Sequence, residues 1–220
     1  MWNLVIKDFV VQKTNIKFIL IYALAGVLFF GTLGEGAYVM IPMMLSYMYL
    51  LGGLGQDDKN NSEFLLNSLP VSRESIVYAK YLSVIIFGAI AIILTMGGAF
   101  IMSSIGLSKV QGNMKIEHIV GFISALTIFM AINFPLYFKY GYAKLRYLNM
   151  GIFMLFLVAP IIIKLINDNI NFNNPFILSI KEKILSLSDA QIGIVIICIV
   201  LFIYLLSLAI SLNIYKKKEF

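Results

Sequence analysis

Few residues in this chain are of the types that do chemistry. The single histidine, His118, stands beside Glu117, and the single cysteine, Cys198, lies inside an apolar run. A catalytic metal needs several His or carboxylate ligands, which one histidine cannot supply. One cysteine makes neither a disulfide nor a thiolate metal site, and here it reads as a small apolar residue. A Ser/His pair exists by count, but no serine stands in a recognisable nucleophile elbow. No Gly-x-x-x-x-Gly-Lys-Ser/Thr run occurs, so the chain has no phosphate loop of that kind for ATP. Ion-coupled carriers place Asp, Glu or His within their spans. Here the acidic residues all fall at span ends or in loops. Lys164 can snorkel outward from the end of a span, and Glu35 reads as a solvated hairpin tip. The expectation is a chain with no catalytic group, cofactor or energy source of its own.

The remaining polar residues concentrate in one place. Gln56-Asp57-Asp58-Lys59-Asn60-Asn61-Ser62-Glu63 interrupts two long apolar stretches and runs on through Phe64-Leu65-Leu66-Asn67-Ser68-Leu69-Pro70-Val71-Ser72-Arg73-Glu74. Asp57 and Asp58 suit a helix N-terminus through its dipole. Phe64, Leu65 and Leu66 supply an apolar edge, Pro70 ends the element, and Ser72 is placed to cap the next helix. The pattern predicts a short amphipathic helix joining two spans, the shape a mechanical linkage requires, because a soluble partner pushing it moves both. A membrane-surface helix without a partner has the same pattern.

Those two stretches belong to a chain whose core must be the bilayer. Hydrophobic residues make up 60% of the 220 and charged ones 13%, and the mean hydropathy is +0.92, far outside soluble proteins. There is room for six spans of roughly 20 residues and for no separate soluble domain. The spans read as 17–33, 37–54, 76–105, 119–138, 148–166 and 191–214. Lipid offers backbone groups no partner and no ten-residue strand alternation is visible, so they are helices. The expected fold is a single all-α integral membrane domain. The third span exceeds what the hydrocarbon needs and should tilt or project into water.

With both termini cytoplasmic, twelve of the 17 Lys and Arg lie inside, against Lys109, Lys115, Lys164, Lys181 and Lys183 outside. That asymmetry follows the positive-inside rule and accounts for the net charge of +6 without nucleic acid. Ala23-Leu24-Ala25 has the small-x-small look of a cleavage site but falls mid-run, where a signal peptidase site is not expected. Residues 1–16 read as an interfacial helix in the headgroups. Its apolar face carries Trp2, Val5, Ile6 and Phe9, with Lys7, Asp8 and Gln12 elsewhere. Between the fifth and sixth spans, within 167–190, Asn174-Pro175 opens a second amphipathic helix bearing Ile177, Ile180, Ile184 and Leu187 on the outer surface.

The spans carry joints. Pro42, Pro135 and Pro160 allow kinks, and Gly88, Ala91, Thr95 and Gly98 form a small-residue face on the third span. Bundle packing explains that face without any transport role. Tyr47 and Tyr49 in the second span, with Phe153 and Phe156 in the fifth, are candidates to line a path for an amphipathic substrate. In such a chain most aromatics simply face lipid.

Glu63 to Arg73, continuing into Ile76-Val77-Tyr78-Ala79-Lys80-Tyr81-Leu82, resembles the segment after the second span in small ABC-2-type permeases of Gram-positive bacteria. The layout along the whole chain is similar, although the motif itself covers only this stretch. In that family the segment is a coupling helix that docks on a separate ATP-binding subunit. The resemblance implies that Asp57, Asp58, Lys59, Glu63, Phe64, Leu65, Arg73 and Glu74 contact that subunit. It also implies that ATP and Mg bind there rather than on this chain, and that two permease copies or paralogues form the exporter. Similar members export amphipathic peptides, such as phenol-soluble modulins, or lipophilic antimicrobials from the bacterial plasma membrane. The alternative is a membrane interaction or immunity protein that transports nothing.

Overall fold

The computed structural model describes residues 1–13, 16–30, 35–107, 114–169 and 189–218, with no side-chain detail over 152–169. Among these residues the chain is helical and contains no strand. In order come α1 (Trp2–Val11), α2 (Ile16–Phe30), α3 (Ala37–Lys59), α4 (Ser62–Ser68), α5 (Arg73–Ser104), α6 (Ile116–Asn169) and α7 (Asp189–Lys216). Four helical stretches are long and apolar enough to cross a membrane: Ala37–Lys59, Arg73–Ser104, Ile116–Gly151 and Gly193–Lys216. Lys17–Phe30 is a shorter apolar helix. The external amphipathic helix read over 174–187 lies outside the described residues.

The run α6 is two helices, not one. Its break is Gly141, with φ 76° and ψ 176°, a backbone conformation open essentially to glycine alone. Asn133 and Asn149 each stand eight residues from it. The Asn149 amide donates to Asn133 Oδ1 at 2.7 Å, and both side chains are buried. An unbroken helix would hold residues so spaced about 24 Å apart, so the chain folds back at Gly141. Asn133 in turn donates to the Phe129 carbonyl at 2.9 Å, which satisfies the buried amide pair. Replacing Gly141 with Ala is expected to destabilise the chain by about 1–3 kcal/mol, read as a lower midpoint of thermal unfolding in detergent.

Two apolar clusters hold the bundle. One joins Leu54 on α3, Ile76 and Tyr81 on α5, Phe134 and Phe138 on α6, and Tyr215 on α7. The other joins Ile19 and Val27 on α2, Ile41 and Tyr49 on α3, and Phe87 and Ala91 on α5. The small-residue face of α5 is the seam between them. All four of its residues are buried, with Gly88 against Leu126 and Phe122 of α6 and Gly98 against Val27 and Ala23 of α2. Tyr81 adds a polar tie, its hydroxyl lying 2.7 and 2.9 Å from the hydroxyls of Ser207 and Ser211 on α7.

At the α2–α3 hairpin Glu35 is exposed and pairs with Lys115 Nζ at 2.7 Å. That hydrogen bond and charge hold its carboxyl below the usual range. His118 stacks on Tyr38, with ring centroids 4.8 Å apart, and its Nδ1 accepts the Lys115 backbone N–H at 3.2 Å. The sole histidine is thus engaged in tying α6 to this hairpin. Among the described residues no group of His, Cys, Asp and Glu could hold a metal ion.

Candidate functional site

At the opposite end of α3 the polar segment folds differently from its expected form. The helix does not restart at Asp57 but continues through it to Lys59. Asn60 closes α3, and Asn61, at φ 48° and ψ 36°, makes the left-handed turn that asparagine tolerates better than most residues. Asp57 and Asp58 therefore end a spanning helix instead of opening the short one. The short helix is α4, whose first turn carries Glu63. Leu69 follows in an extended conformation, as the residue before Pro70 must. Ser72 then caps α5, its hydroxyl accepting the Ser75 N–H at 3.3 Å.

The second departure concerns α1. Its buried face carries Val5, Asp8 and Gln12, while Trp2, Ile6 and Val10 point outward. Trp2 and Ile6 of the expected apolar face do lie outward, whereas Asp8 and Gln12 turn in, Asp8 to meet Lys80 and Gln12 to donate its amide to the Tyr49 carbonyl.

Asp8 finds a ring of four alternating charges. Lys80 Nζ donates to Asp8 Oδ1 at 2.8 Å and also binds Asp57 Oδ2. Lys7 Nζ donates to Asp57 Oδ1 at 2.9 Å and lies 3.2 Å from Asp8 Oδ1, which closes the ring. The Ser83 hydroxyl donates to Asp8 Oδ2 at 3.0 Å. Asp8, Asp57 and Lys80 are only 7%, 5% and 8% exposed. Buried charge is tolerated when paired and hydrogen-bonded, and two cations facing two anions leave the ring neutral. Asp57 does lie at the end of its helix, but it and Asp8 are buried and paired there.

The ring joins three elements. Asp57 is two residues from the end of α3, Lys80 lies two turns into α5, and Lys7 and Asp8 sit on α1. Both helices flanking α4 are therefore locked to each other and to α1 beside it. Two cavities that touch the ring among the described residues measure about 10 and 20 Å³, far below the hundreds of Å³ of a typical ligand pocket. What the ring does among the described residues is tie α1, α3 and α5 together.

The remaining segment residues divide by environment. Phe64 and Leu65 project from α4, 63% and 62% exposed, with Leu69 exposed just beyond them. Asp58 and Lys59 are exposed at the end of α3. Glu63 pairs with Lys218 Nζ at 2.6 Å, and Glu74 with Lys216 Nζ at 2.7 Å. Arg73 donates to the backbone carbonyls of Lys216 and Lys218, both at 2.9 Å. Asp57 is the exception, turned inward into the ring.

Of the aromatic residues read as a substrate path, Tyr47 and Tyr49 have described side chains, and these point to different neighbours. Tyr49 is buried, stacked 3.8 Å from Phe87, and belongs to the packed core. Tyr47 points elsewhere, toward Phe129, and the side chains of Phe153 and Phe156 lie outside the described residues.

Lys7, Asp8, Lys80 and Ser83 were not singled out by sequence reasoning. The available signal was the spacing of Asp8 from Val5 and Gln12, which sets all three on one face of α1, and a lysine within the buried face of α5 that carries Ile76, Val77 and Val84. Comparison with curated proteins gave no match. The sequence model of the family described as ABC-2 family transporter protein matches residues 3–216, and the chain belongs to that family, as a multi-pass membrane permease of an ABC transporter.

Proposed function

We propose that this permease is driven by a separate ATP-binding subunit docked on α4, and that two permease copies or paralogues form an exporter in the bacterial plasma membrane. The observation that carries this reading is the setting of α4. A two-turn helix presents Phe64, Leu65 and Leu69 outward while the helices on either side are locked by the ring of Lys7, Asp8, Asp57 and Lys80. Apolar side chains on a rigid mount suit a partner's groove, and a push on them moves α3 and α5 as one. ATP and Mg belong to the partner, whose closure displaces α4 so that substrate passes between the permease copies. In this reading α4 and both termini lie on the cytoplasmic side, in keeping with the excess of Lys and Arg in those segments.

The substrate class, amphipathic peptides or lipophilic antimicrobials moved outward, is suggested by the resemblance of residues 63–82 to small ABC-2-type permeases, whose members include peptide exporters. Inside-out vesicles holding the chain and its ATP-binding subunit are expected to accumulate a fluorescent amphipathic peptide when given ATP, but not a non-hydrolysable analogue. Equal accumulation with either nucleotide would contradict ATP-driven export.

A further inference from the structure

The end of α7 lies against α4 and the first turn of α5. Lys218 pairs with Glu63, Lys216 with Glu74, and Arg73 holds the carbonyls of both lysines. Such an arrangement matters because α4 has only seven residues, too few to hold a helix in water unaided. Among its described side chains only Leu66 is buried. Its orientation therefore depends on neighbours, and the end of α7 is one that grips it by a charged side chain.

The same contacts leave a charge imbalance on the exposed side. Glu63 and Glu74 are matched by Lys218 and Lys216, whereas Lys217 between them is exposed and makes no ion pair among the described residues. Around α4 the five cations Lys59, Arg73 and Lys216 to Lys218 outnumber the four anions Asp58, Glu63, Glu74 and Glu219 by one. Asp57 does not offset this excess, since the ring has already neutralised it.

We infer that the docking surface is composite: the apolar residues of α4 together with the lysines ending α7, fitted to an acidic face of the ATP-binding subunit beside its apolar groove. This inference rests on the docking reading above. Phe64 and Leu65 supply the apolar anchor, and Lys217 supplies the unmatched positive charge at its rim. Charges placed so act mainly on encounter rate and orientation, and their effect fades with salt.

The test measures affinity of the detergent-solubilised chain for the purified ATP-binding subunit at low and at high salt. Lys217→Glu is exposed and outside the packed bundle. It is expected to weaken binding on the order of tenfold at low salt, chiefly through slower association, with the gap closing at high salt. Lys217→Gln should fall between it and wild type. Wild-type affinity in Lys217→Glu, alongside lost binding in the Phe64→Asp/Leu65→Asp variant, would overturn the composite surface and leave α4 docking standing. Wild-type affinity in both would overturn the docking reading itself. If Lys217→Glu loses only adhesion to anionic vesicles, its partner is the lipid surface and the inference fails.

Discussion

Replacing Lys80 with Met is expected to destabilise the folded chain by about 3–5 kcal/mol, the usual cost of stranding a buried charge. Lys80 bonds both carboxylates of the ring. Without it, Asp8 and Asp57 face each other with Lys7 as their remaining cation, and Lys7 is the most exposed of the four. The methionine replaces much of the aliphatic stem, so lost packing is a minor part of the effect. A second substitution separates charge from shape. In Lys80→Met/Asp8→Asn one cation again faces one anion, Lys7 with Asp57, and at least half of the lost stability should return. Thermal unfolding in detergent, followed by helical circular dichroism, reads both variants. A Lys80→Met protein that melts with wild type would show that the ring bears no load.

The Phe64→Asp/Leu65→Asp substitution should do the opposite, leaving the fold intact and removing the partner. Both side chains are largely exposed, so melting should match wild type. Apolar anchors at the centre of an interface are each worth about 2 kcal/mol or more. Losing two, with two anions introduced in their place, should weaken association by about a thousandfold. Retained binding with an unchanged melt would place the partner elsewhere on the chain.

The sequence showed the all-α membrane class and the short helix between two long apolar ones plainly, because composition, run length and the Pro70–Ser72 punctuation act locally. The register of that linkage was not legible. Whether Asp57 ends one helix or opens the next depends on Asn61 taking a left-handed turn, which is permitted in asparagine but not dictated by it. The inward turn of Asp8 and Gln12 on α1 was not legible for a different reason. In water a greasy face points inward, but beside lipid both directions are apolar, and only the pairing of Asp8 with Lys80 decides between them. That pairing joins residues 72 apart in sequence, so no local pattern carries it. The fold-back at Gly141 lay between expected spans, yet its sharpness comes from one glycine conformation that hydropathy does not register.

Co-expression of the tagged chain with its candidate ATP-binding subunit, followed by purification through that tag and assay of ATP hydrolysis, tests the docking of a driving subunit on α4 most directly. The expected result is a stable complex that hydrolyses ATP, and loss of the partner from the Phe64→Asp/Leu65→Asp chain. A wild-type chain that purifies alone, with no effect on the ATPase, would contradict it and favour a membrane interaction or immunity protein.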